Sequence, residues 1–244
     1  MNLKYLAIAA MLFAALPLRA EEPAKAPAKK WTDKGEVSLV SSNGNSKGTT
    51  TSLKNLYTYN WSEVTALELA GGALGTKSRD EVTAENYNAS EKVSKKLVGK
   101  NYAFERFGWD KDRFAGIAHR YDASAGLGRL FLDFPKDKLN IELGGGYVAE
   151  ELIRAPHQDY GSGRAFAKFE HTISESSKFS QDAEYRHNFK DPKAYLLNTE
   201  TALIAAVSTH LSLKASFVWK RNAKPPVGVV KDDTVTSMSL VVNY

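Results

Sequence analysis

Cysteine is absent from this chain of 244 residues. Its absence excludes a disulfide framework and any metal site built on thiolates. Long hydrophobic runs are also missing after Lys30, and the mean hydropathy of −0.38 would by itself indicate a soluble protein. That inference fails for one class, because transmembrane β-barrels alternate apolar and polar residues and therefore look hydrophilic on average.

A strong charge of one sign is lacking as well. The formal charge is +5, and it falls to +3 when the two cations of the N-terminal segment, Lys4 and Arg19, are left out. So mild a positive charge does not indicate nucleic acid as a partner.

The N-terminal segment has the features of a secretory signal peptide. Lys4 provides the positive charge, residues 6–16 form a short apolar run, and a small-residue cleavage site ends at Ala20. The run is too short to cross a bilayer as a helix. Residues 21–30, EEPAKAPAKK, lack apolar periodicity and are expected to be a flexible periplasmic tail. The predicted division is a signal peptide at 1–20, this tail, and one barrel domain at 31–244.

From Trp31 onwards apolar and polar residues alternate with a period of two, often for about ten residues or more. Globular strands are about five or six residues long, whereas strands that cross a membrane in a barrel need roughly nine to eleven. In residues 211–220, one face carries Leu211, Leu213, Ala215, Phe217 and Trp219, and the other carries Ser212, Lys214, Ser216 and Lys220.

Twelve strands are predicted on this basis. Short turns alternate with longer, charged loops such as those at 75–85 and 109–117, which is typical of outer-membrane barrels with short periplasmic turns and long extracellular loops. The predicted fold class is therefore all-β, a single antiparallel transmembrane β-barrel. The strands are expected near residues 34–43, 48–60, 63–75, 83–97, 101–110, 117–132, 138–152, 162–174, 177–190, 195–208, 210–221 and 232–244.

The last predicted strand, within TSMSLVVNY at 236–244, resembles the C-terminal signal by which the outer-membrane insertion machinery recognises barrel proteins. Alternate residues are apolar, and the segment ends in an aromatic residue. In a closed barrel this strand is expected to pair with the strand that begins near Trp31. The predicted assembly signal, facing lipid, comprises Met238, Leu240, Val242 and Tyr244.

A soluble periplasmic barrel that binds a ligand is the first alternative, because lipocalin-like barrels also alternate. Three features favour the membrane barrel: the length of the strands, the segregation of loop lengths, and aromatic residues near the strand ends, where interface girdles lie. The soluble barrel predicts release in a periplasmic wash. The membrane barrel predicts heat-modifiable migration on a gel.

Three segments of the chain resemble one family. They are GEVSLVSSNGNSKGTTTSLKNLYTY at 35–59, with Gly44-Asn45 in its turn, DKDRFAGIAHRYDASAGLGRLFL at 110–132, and LNIELGGGYVAEE at 139–151. Together they are similar to the YdiY-like family of salt-induced outer-membrane proteins, and the resemblance extends over 31–244. It implies an outer-membrane barrel of uncharacterised function, with no activity and no binding residues to carry over. Arg129 departs from the family pattern, which leads us to expect an aromatic residue there.

A lipid-modifying hydrolase is the second alternative, since outer-membrane enzymes of that class pair a histidine with a serine. His187 has Ser180 and Asn188 nearby in sequence, but neighbours on its own strand point to the opposite face, and no Gly-x-Ser-x-Gly elbow occurs. The acidic runs at 110–112 and 231–233 lack the spacing of a calcium loop. We therefore predict no enzyme activity, no metal site and no cofactor.

The barrel interior remains as the candidate functional surface. The predicted function is a small channel, or a barrel that supports the envelope under osmotic or salt stress, in the bacterial cell outer membrane. The sequence leaves open whether the lumen conducts or is plugged, because twelve strands lie between the filled barrels of about eight and the open ones of about sixteen. Expected partners are outer-membrane lipid and lipopolysaccharide, with the insertion machinery and periplasmic chaperones during biogenesis. The charged residues predicted to face the lumen are Lys54, Glu68, Lys92, Lys96, Arg164, Lys168, Glu170, Asp182, Glu184, Arg186, Glu200, Lys214 and Lys220.

Overall fold

The computed structural model of the protein describes residues 30–43, 48–78 and 81–244. The predicted signal peptide, residues 21–29 of the predicted tail and the predicted turn at Gly44-Asn45 lie outside the described residues.

The described chain is made of twelve long strands. The alternation identified above accounts for them, since side chains of a strand point to its two faces in turn. No helix among the described residues is long and apolar enough to cross a membrane. The strands are β1 Trp31–Asn43, β2 Gly48–Asn60, β3 Thr65–Ser78, β4 Glu81–Lys96, β5 Asn101–Asp112, β6 Ile117–Asp133, β7 Asp137–Leu152, β8 Gln158–Thr172, β9 Ser177–Asn188, β10 Tyr195–Ala206, β11 Leu211–Asn222 and β12 Asp232–Asn243.

Each strand pairs with its neighbours in sequence, and β1 closes the sheet by pairing with β12. The pairs are antiparallel. Because the sheet is closed, each of the described strands has a partner on both sides and none is an edge strand. Val37 of β1 lies opposite Leu240 of β12 on one side and Leu53 of β2 on the other. The predicted fold, a closed antiparallel barrel of twelve strands whose last strand meets the first, is confirmed.

The two rims of the barrel differ in their connections. One rim, here named the short-turn rim, has connections of three or four residues and also carries the start of β1 and the end of β12. The other, named the long-loop rim, has the longer connections at 153–157, 189–194 and 223–231. The predicted loops at 75–85 and 109–117 are largely strand, because β3 and β4 continue towards each other and β5 extends to Asp112.

The outer surface is apolar and the interior is polar. Leu127 and Leu143 on the outer face are each 62% exposed, and Met238 is 68% exposed. Inside, Glu142 is 0% exposed and Arg164 is 6% exposed. A soluble lipocalin-type barrel has the reverse arrangement, with apolar residues inside, whereas transmembrane barrels present an apolar band outwards.

The segment 100–135 carries aromatic residues on both faces of its strands. Phe104 of β5 points inwards and is 1% exposed, whereas Phe107 points outwards and is 44% exposed. Arg129 lies on the outer face near the short-turn rim, opposite Asn101 and Ile141 in the ladder. Its guanidinium lies 5.6 Å from the ring centroid of Phe131. Arg129 keeps its place in both ladders, but the pairing of β6 with β7 shifts by one residue directly after it, between Leu130 and Leu132.

Candidate functional site: the barrel interior

The centre of the interior is occupied by Glu142 of β7. Its Oε2 accepts a hydrogen bond from Arg164 Nη1 at 2.8 Å, and its Oε1 accepts one from the Tyr102 hydroxyl at 2.7 Å. Lys92 of β4 also pairs with Oε1, although three strand spacings around the wall separate β4 from β7. Side chains from strands that do not neighbour each other thus meet in the interior.

Charges of alternating sign continue from Arg164 towards the long-loop rim. Arg164 Nε lies 2.7 Å from Glu184 Oε2, and Arg186 Nη2 lies 2.8 Å from Glu184 Oε1. Arg186 reaches Asp122 at 3.4 Å, and Asp122 also pairs with Arg106. Buried charges are tolerated when they are paired and hydrogen-bonded. The set is here named the charge network and comprises Lys92, Arg106, Asp122, Glu142, Arg164, Glu184 and Arg186.

A second buried cluster lies nearer the long-loop rim. Arg120 Nε donates to Glu150 Oε1 at 2.6 Å, and the Tyr160 hydroxyl donates to the same oxygen at 2.9 Å. Arg120, Glu150 and Tyr160 are each less than a tenth exposed, and Val148 beside them is 0% exposed. This part of the interior is filled with side chains.

Glycines of β6 and β7 make room for the large side chains of β5. A Cβ at Gly144 would lie 3.1 Å from the tip of the Phe104 ring and 2.6 Å from the carbonyl oxygen of Ala125. At Gly128 a Cβ would collide with the ring of Tyr102. Close approach of a side chain to the backbone is a usual reason for glycine within a strand. Part of the glycine run at 144–146 therefore serves packing.

The opposite wall of the interior, on β11, β12, β1 and β2, carries buried serine hydroxyls and is here named the serine wall. The hydroxyls of Ser216 and Ser237 are 2.7 Å apart, and Ser239 donates to Ser38 at 2.8 Å. These side chains are short, so they do not reach across the lumen. The buried serines of this wall are Ser38, Ser52, Ser212, Ser216, Ser237 and Ser239.

Four charged residues cross the space in front of the serine wall. Lys214 Nζ lies 3.0 Å from Glu36 Oε2 and also pairs with Glu200. Lys54 of β2 reaches Glu200 of β10 at 3.6 Å, across the width of three intervening strands. The Lys54 side chain is nevertheless 42% exposed, so this part of the interior is open to water.

A group of lysines lies in the interior near the short-turn rim. Lys168 and Lys178 lie 3.5 and 3.8 Å from the same carboxylate oxygen of Glu170. Their side chains are 42% and 41% exposed. Lys34, on the far wall, is within the electrostatic influence of both lysines. The approach to the lumen from this rim is therefore lined by three amines, with the carboxylates of Glu170, of Asp182 opposite Lys168, and of Glu68 near them.

The residues predicted to face the lumen all lie on the interior-facing parity of their strands. Lys92, Arg164, Glu184 and Arg186 belong to the charge network, and Lys54, Glu200 and Lys214 cross the lumen in front of the serine wall. In the ladders, Glu68 lies opposite Lys92, Asp182 opposite Glu200, and Lys220 opposite Asp233. Lys96 Nζ donates to the carbonyl of Glu63 at 2.9 Å.

Several interior residues were missed by the sequence analysis. They lie mostly on β5, β6 and β7, where aromatic residues on both parities obscured the pattern. Charged residues of these strands also fall on both parities, as Glu105 and Arg106 of β5 do, so the period-two pattern did not single out the inward-facing set. The missed residues are Glu36, Tyr102, Phe104, Arg106, Arg120, Asp122, Glu142, Glu150 and Tyr160.

The C-terminal residues predicted to face lipid point away from the interior. Met238, Leu240 and Tyr244 are 68%, 43% and 60% exposed. Val242 lies opposite Leu211 of β11 and Gly35 of β1. The backbone of Tyr244 is hydrogen-bonded to that of Asp33, at 2.9 and 3.2 Å.

Among the described residues, neither His187 nor His171 is hydrogen-bonded to a serine hydroxyl. His187 lies on the outer face between Tyr185 and Phe189, whereas Ser180 and Asn188 face the interior. His171 has Asp137 at 2.7 Å as its partner, and no serine completes that pair. Within the described residues no group of three His, Asp or Glu side chains is placed to hold a metal ion.

Comparisons with known proteins identify the family and the fold of this chain. The model of the family "Protein of unknown function, DUF481" matches residues 35–244. The uncharacterised protein YdiY of Escherichia coli strain K12 is 27% identical over 221 residues, which are 90% of this chain and 85% of YdiY. The NanC porin has a TM-score of 0.60 at 8% identity, covering 85% of this chain and 98% of NanC. The translocator domain of the autotransporter NalP from Neisseria meningitidis has a TM-score of 0.53 at 9% identity, covering 90% of each chain. These two likenesses show the fold alone.

Proposed function

The chain belongs to the DUF481 family of proteins of unknown function, and from this premise and the charged interior we propose that it is an outer-membrane barrel with a narrow channel that favours small anions. The family match and the similarity to YdiY confirm the family resemblance seen in the sequence. The proposal adds to the family membership a location, the outer membrane, and an activity, conduction of small anions.

The outer surface supports the location. Large apolar side chains such as Leu53, Leu203 and Phe217 are 57%, 55% and 47% exposed on the outer face. Exposed apolar area of this extent is unfavourable in water and favourable in hydrocarbon. The NanC porin, whose fold this chain shares, is by name a porin.

The partly exposed lysines of the interior support the activity, and they are the observation that carries the proposal. The charge network fills one side of the interior. Lys54, Lys168 and Lys178 lie elsewhere in the lumen with about two fifths of their side chains exposed. Water therefore reaches the lumen beside the serine wall at Lys54 and, near the short-turn rim, at Lys168 and Lys178, and these cations would raise the local concentration of anions.

Planar-bilayer recording of the refolded barrel tests the proposal. We expect small single-channel steps and, in a gradient of potassium chloride, a reversal potential that indicates preference for chloride. Lys54→Glu should reduce or reverse this preference, because it reverses the sign of a group in the lumen and removes the partner of Glu200.

Lys100→Glu is the matched control. Lys100 lies in the turn at 97–100 and pairs with Asp133 at 3.5 Å, so the same change of charge occurs outside the lumen. Absence of conductance in a barrel that shows heat-modifiable migration would overturn the channel. Equal selectivity in the two variants would overturn the assignment of the path to the serine wall.

A further inference from the structure

A basic pocket lies outside the lumen at the long-loop rim. It has a volume of about 410 Å³ and is lined by Lys193, Tyr195, Arg221, Ala223, Lys224 and Lys231. The pocket is built between the ends of β10 and β11 and the connection 223–231, where Ala223 N donates to the Tyr195 carbonyl at 2.9 Å. Four of its six lining residues are cations.

Within the described residues, two of these cations form salt bridges and two do not, although Lys193 lies near Asp191, which accepts a hydrogen bond from its backbone N–H. Arg221 Nη1 lies 3.0 Å from both carboxylate oxygens of Asp232, and Lys224 pairs with Asp191. Lys193 and Lys231 make no salt bridge within the described part of the chain. The pocket thus has a local surplus of two positive charges, since four cations face two carboxylates.

The wall of the pocket also contains an N–H donor that has no hydrogen-bond acceptor among the described residues. The Arg221 Nε atom is buried and has no hydrogen-bond partner among the described residues, although the Arg221 side chain as a whole is 33% exposed and its guanidinium interacts with Asp232 and with the Tyr195 side chain. Buried N–H groups are nearly always satisfied, so an orphaned one at a cationic pocket is a position where an anionic oxygen would bind.

The position of the pocket on the outer wall indicates the kind of ligand. Tyr195 and Arg221 lie on the outward-facing parity, and Tyr195 packs against Tyr185 at a centroid distance of 5.6 Å. His187 and Phe189 extend this aromatic group on β9. Aromatic groups at a barrel end mark the interface between hydrocarbon and headgroups. The pocket lies beyond this group towards the loops, at the level of lipid headgroups.

We propose that this pocket binds a phosphate group of a glycolipid headgroup of the outer leaflet, with the acyl chains lying along the apolar face of β10 and β11. The inference rests on the proposed outer-membrane location with the long-loop rim outside. Lysine and arginine side chains are the usual partners of phosphate, and pairing of opposite charge is strengthened where water is partly excluded. Phe217 and Leu213, 47% and 50% exposed, provide the apolar surface on β11.

Native mass spectrometry of the detergent-solubilised barrel tests the pocket, with bisphosphorylated lipid A as the probe. We expect one lipid A to be retained per barrel, and lipid A lacking both phosphates to be retained at least about tenfold more weakly. Lys193→Gln combined with Lys231→Gln should weaken retention of lipid A by about tenfold or more, because both unpaired cations are lost.

Lys111→Gln combined with Arg113→Gln is the matched control. These two cations also lie at the long-loop rim, but both pair with Glu85, at 3.1 and 3.6 Å. We expect this variant to retain lipid A within about twofold of the unaltered chain. Equal weakening in the two double variants, or equal binding of the dephosphorylated lipid, would overturn the site. Inorganic phosphate that displaces lipid A at equimolar concentration would overturn the assignment to a lipid.

The same variants separate this inference from the channel. The pocket lies outside the lumen, so the Lys193 and Lys231 double variant should conduct like the unaltered barrel. Lipid A retention without conductance would overturn only the channel. Conductance without lipid A retention would overturn only the pocket.

Discussion

The charge network and the serine wall bury polar groups in two different ways. In the network, long side chains cross the interior and pair with one another, so that Glu142 is fully buried against Lys92, Arg164 and Tyr102. On the serine wall, hydroxyls such as those of Ser216 and Ser237 pair along the wall, and the space before them is crossed only by a few charged side chains, of which Lys54 is 42% exposed. The difference shows how one barrel can be packed on one side and open on the other.

The two sides also differ in the loss of stability that a substitution is expected to cause. Removal of one partner from a buried charge pair leaves an uncompensated charge and typically costs about 3–5 kcal/mol. A neutral hydrogen bond contributes only about 1 kcal/mol to stability. Substitutions in the charge network should therefore destabilise the barrel more than substitutions on the serine wall.

Glu142→Gln should give the largest effect. The substitution leaves Lys92 without its carboxylate and Arg164 with Glu184 alone, so we expect a loss of about 3–5 kcal/mol in unfolding free energy. Urea unfolding of the barrel in lipid vesicles, followed by tryptophan fluorescence, measures it. Glu170→Gln is the control, because Glu170 contacts Lys168 and Lys178 but is one third exposed. Equal destabilisation by the two variants would contradict the difference between buried and open regions.

Gly144→Ala should come next, since it tests the packing beneath Phe104. The added Cβ would lie 2.6 Å from the Ala125 carbonyl oxygen, and overpacking of this kind costs about 1–3 kcal/mol. Gly145→Ala is a control one residue away, where the nearest atom to the new Cβ is the Ser162 carbonyl oxygen at 3.9 Å. The same unfolding assay distinguishes them, and a Gly145→Ala barrel as unstable as Gly144→Ala would argue against a tightly packed interior.

A double-mutant cycle on Ser216 and Ser237 should give a smaller effect. Each single change to alanine leaves one buried hydroxyl without its partner, and we expect a loss of about 1 kcal/mol. The double variant should lose no more than either single one, because no unpaired hydroxyl remains. If the losses in unfolding free energy of the two single variants add in the double variant, the two hydroxyls have separate partners. That result would contradict the description of the serine wall as hydroxyls paired along the wall.

The smallest effect is expected at the long-loop rim, outside both walls. Hydrogen bonds from Lys224, and then from the backbone N–H of Lys193, lower the pKa of the exposed Asp191 below its ordinary value of 3.8. A lowered carboxyl pKa means that the contact contributes fully above pH 3.8 and is lost as the pH falls through the lowered pKa. Amide exchange in 189–194 and 223–231, corrected for intrinsic rates, should rise only below this pH.

Asp191→Asn should show the faster exchange already at neutral pH, whereas Glu175→Gln, in a turn at the other rim, should leave these loops unchanged. If amide exchange in these loops is unchanged by Asp191→Asn, the contact between Asp191 and Lys224 does not restrain the long-loop rim.

Much of the fold could be predicted because the period-two pattern is a local property. The alternation at Leu211, Leu213 and Ala215 gives both the strand and its two faces without knowledge of the partners. The family resemblance then predicted a barrel, and the C-terminal strand predicted that the sheet closes by pairing of the last strand with the first. The strand pattern was less informative at Tyr102, Phe104 and Phe107, because aromatic residues fit both a lipid-facing surface and a packed interior.

The interior could be predicted only in part. The sequence indicated that Lys92, Arg164 and Glu184 share a face, yet it gave no sign that Glu142 of a distant strand would lie between Lys92 and Arg164. The basic pocket was also missed, since Lys193, Arg221 and Lys231 come from separate connections and strand ends that meet only in the barrel.

The sequence by itself determined the strand pattern and which residues share a face, because each depends on residues close together in the chain, and it predicted the export signal on the same local basis. The tertiary structure alone decided which charges meet across the lumen, which side of the interior is filled, and where unpaired cations remain. Those features depend on closure of the sheet and on its register, which bring together residues such as Lys54 and Glu200 from opposite parts of the wall.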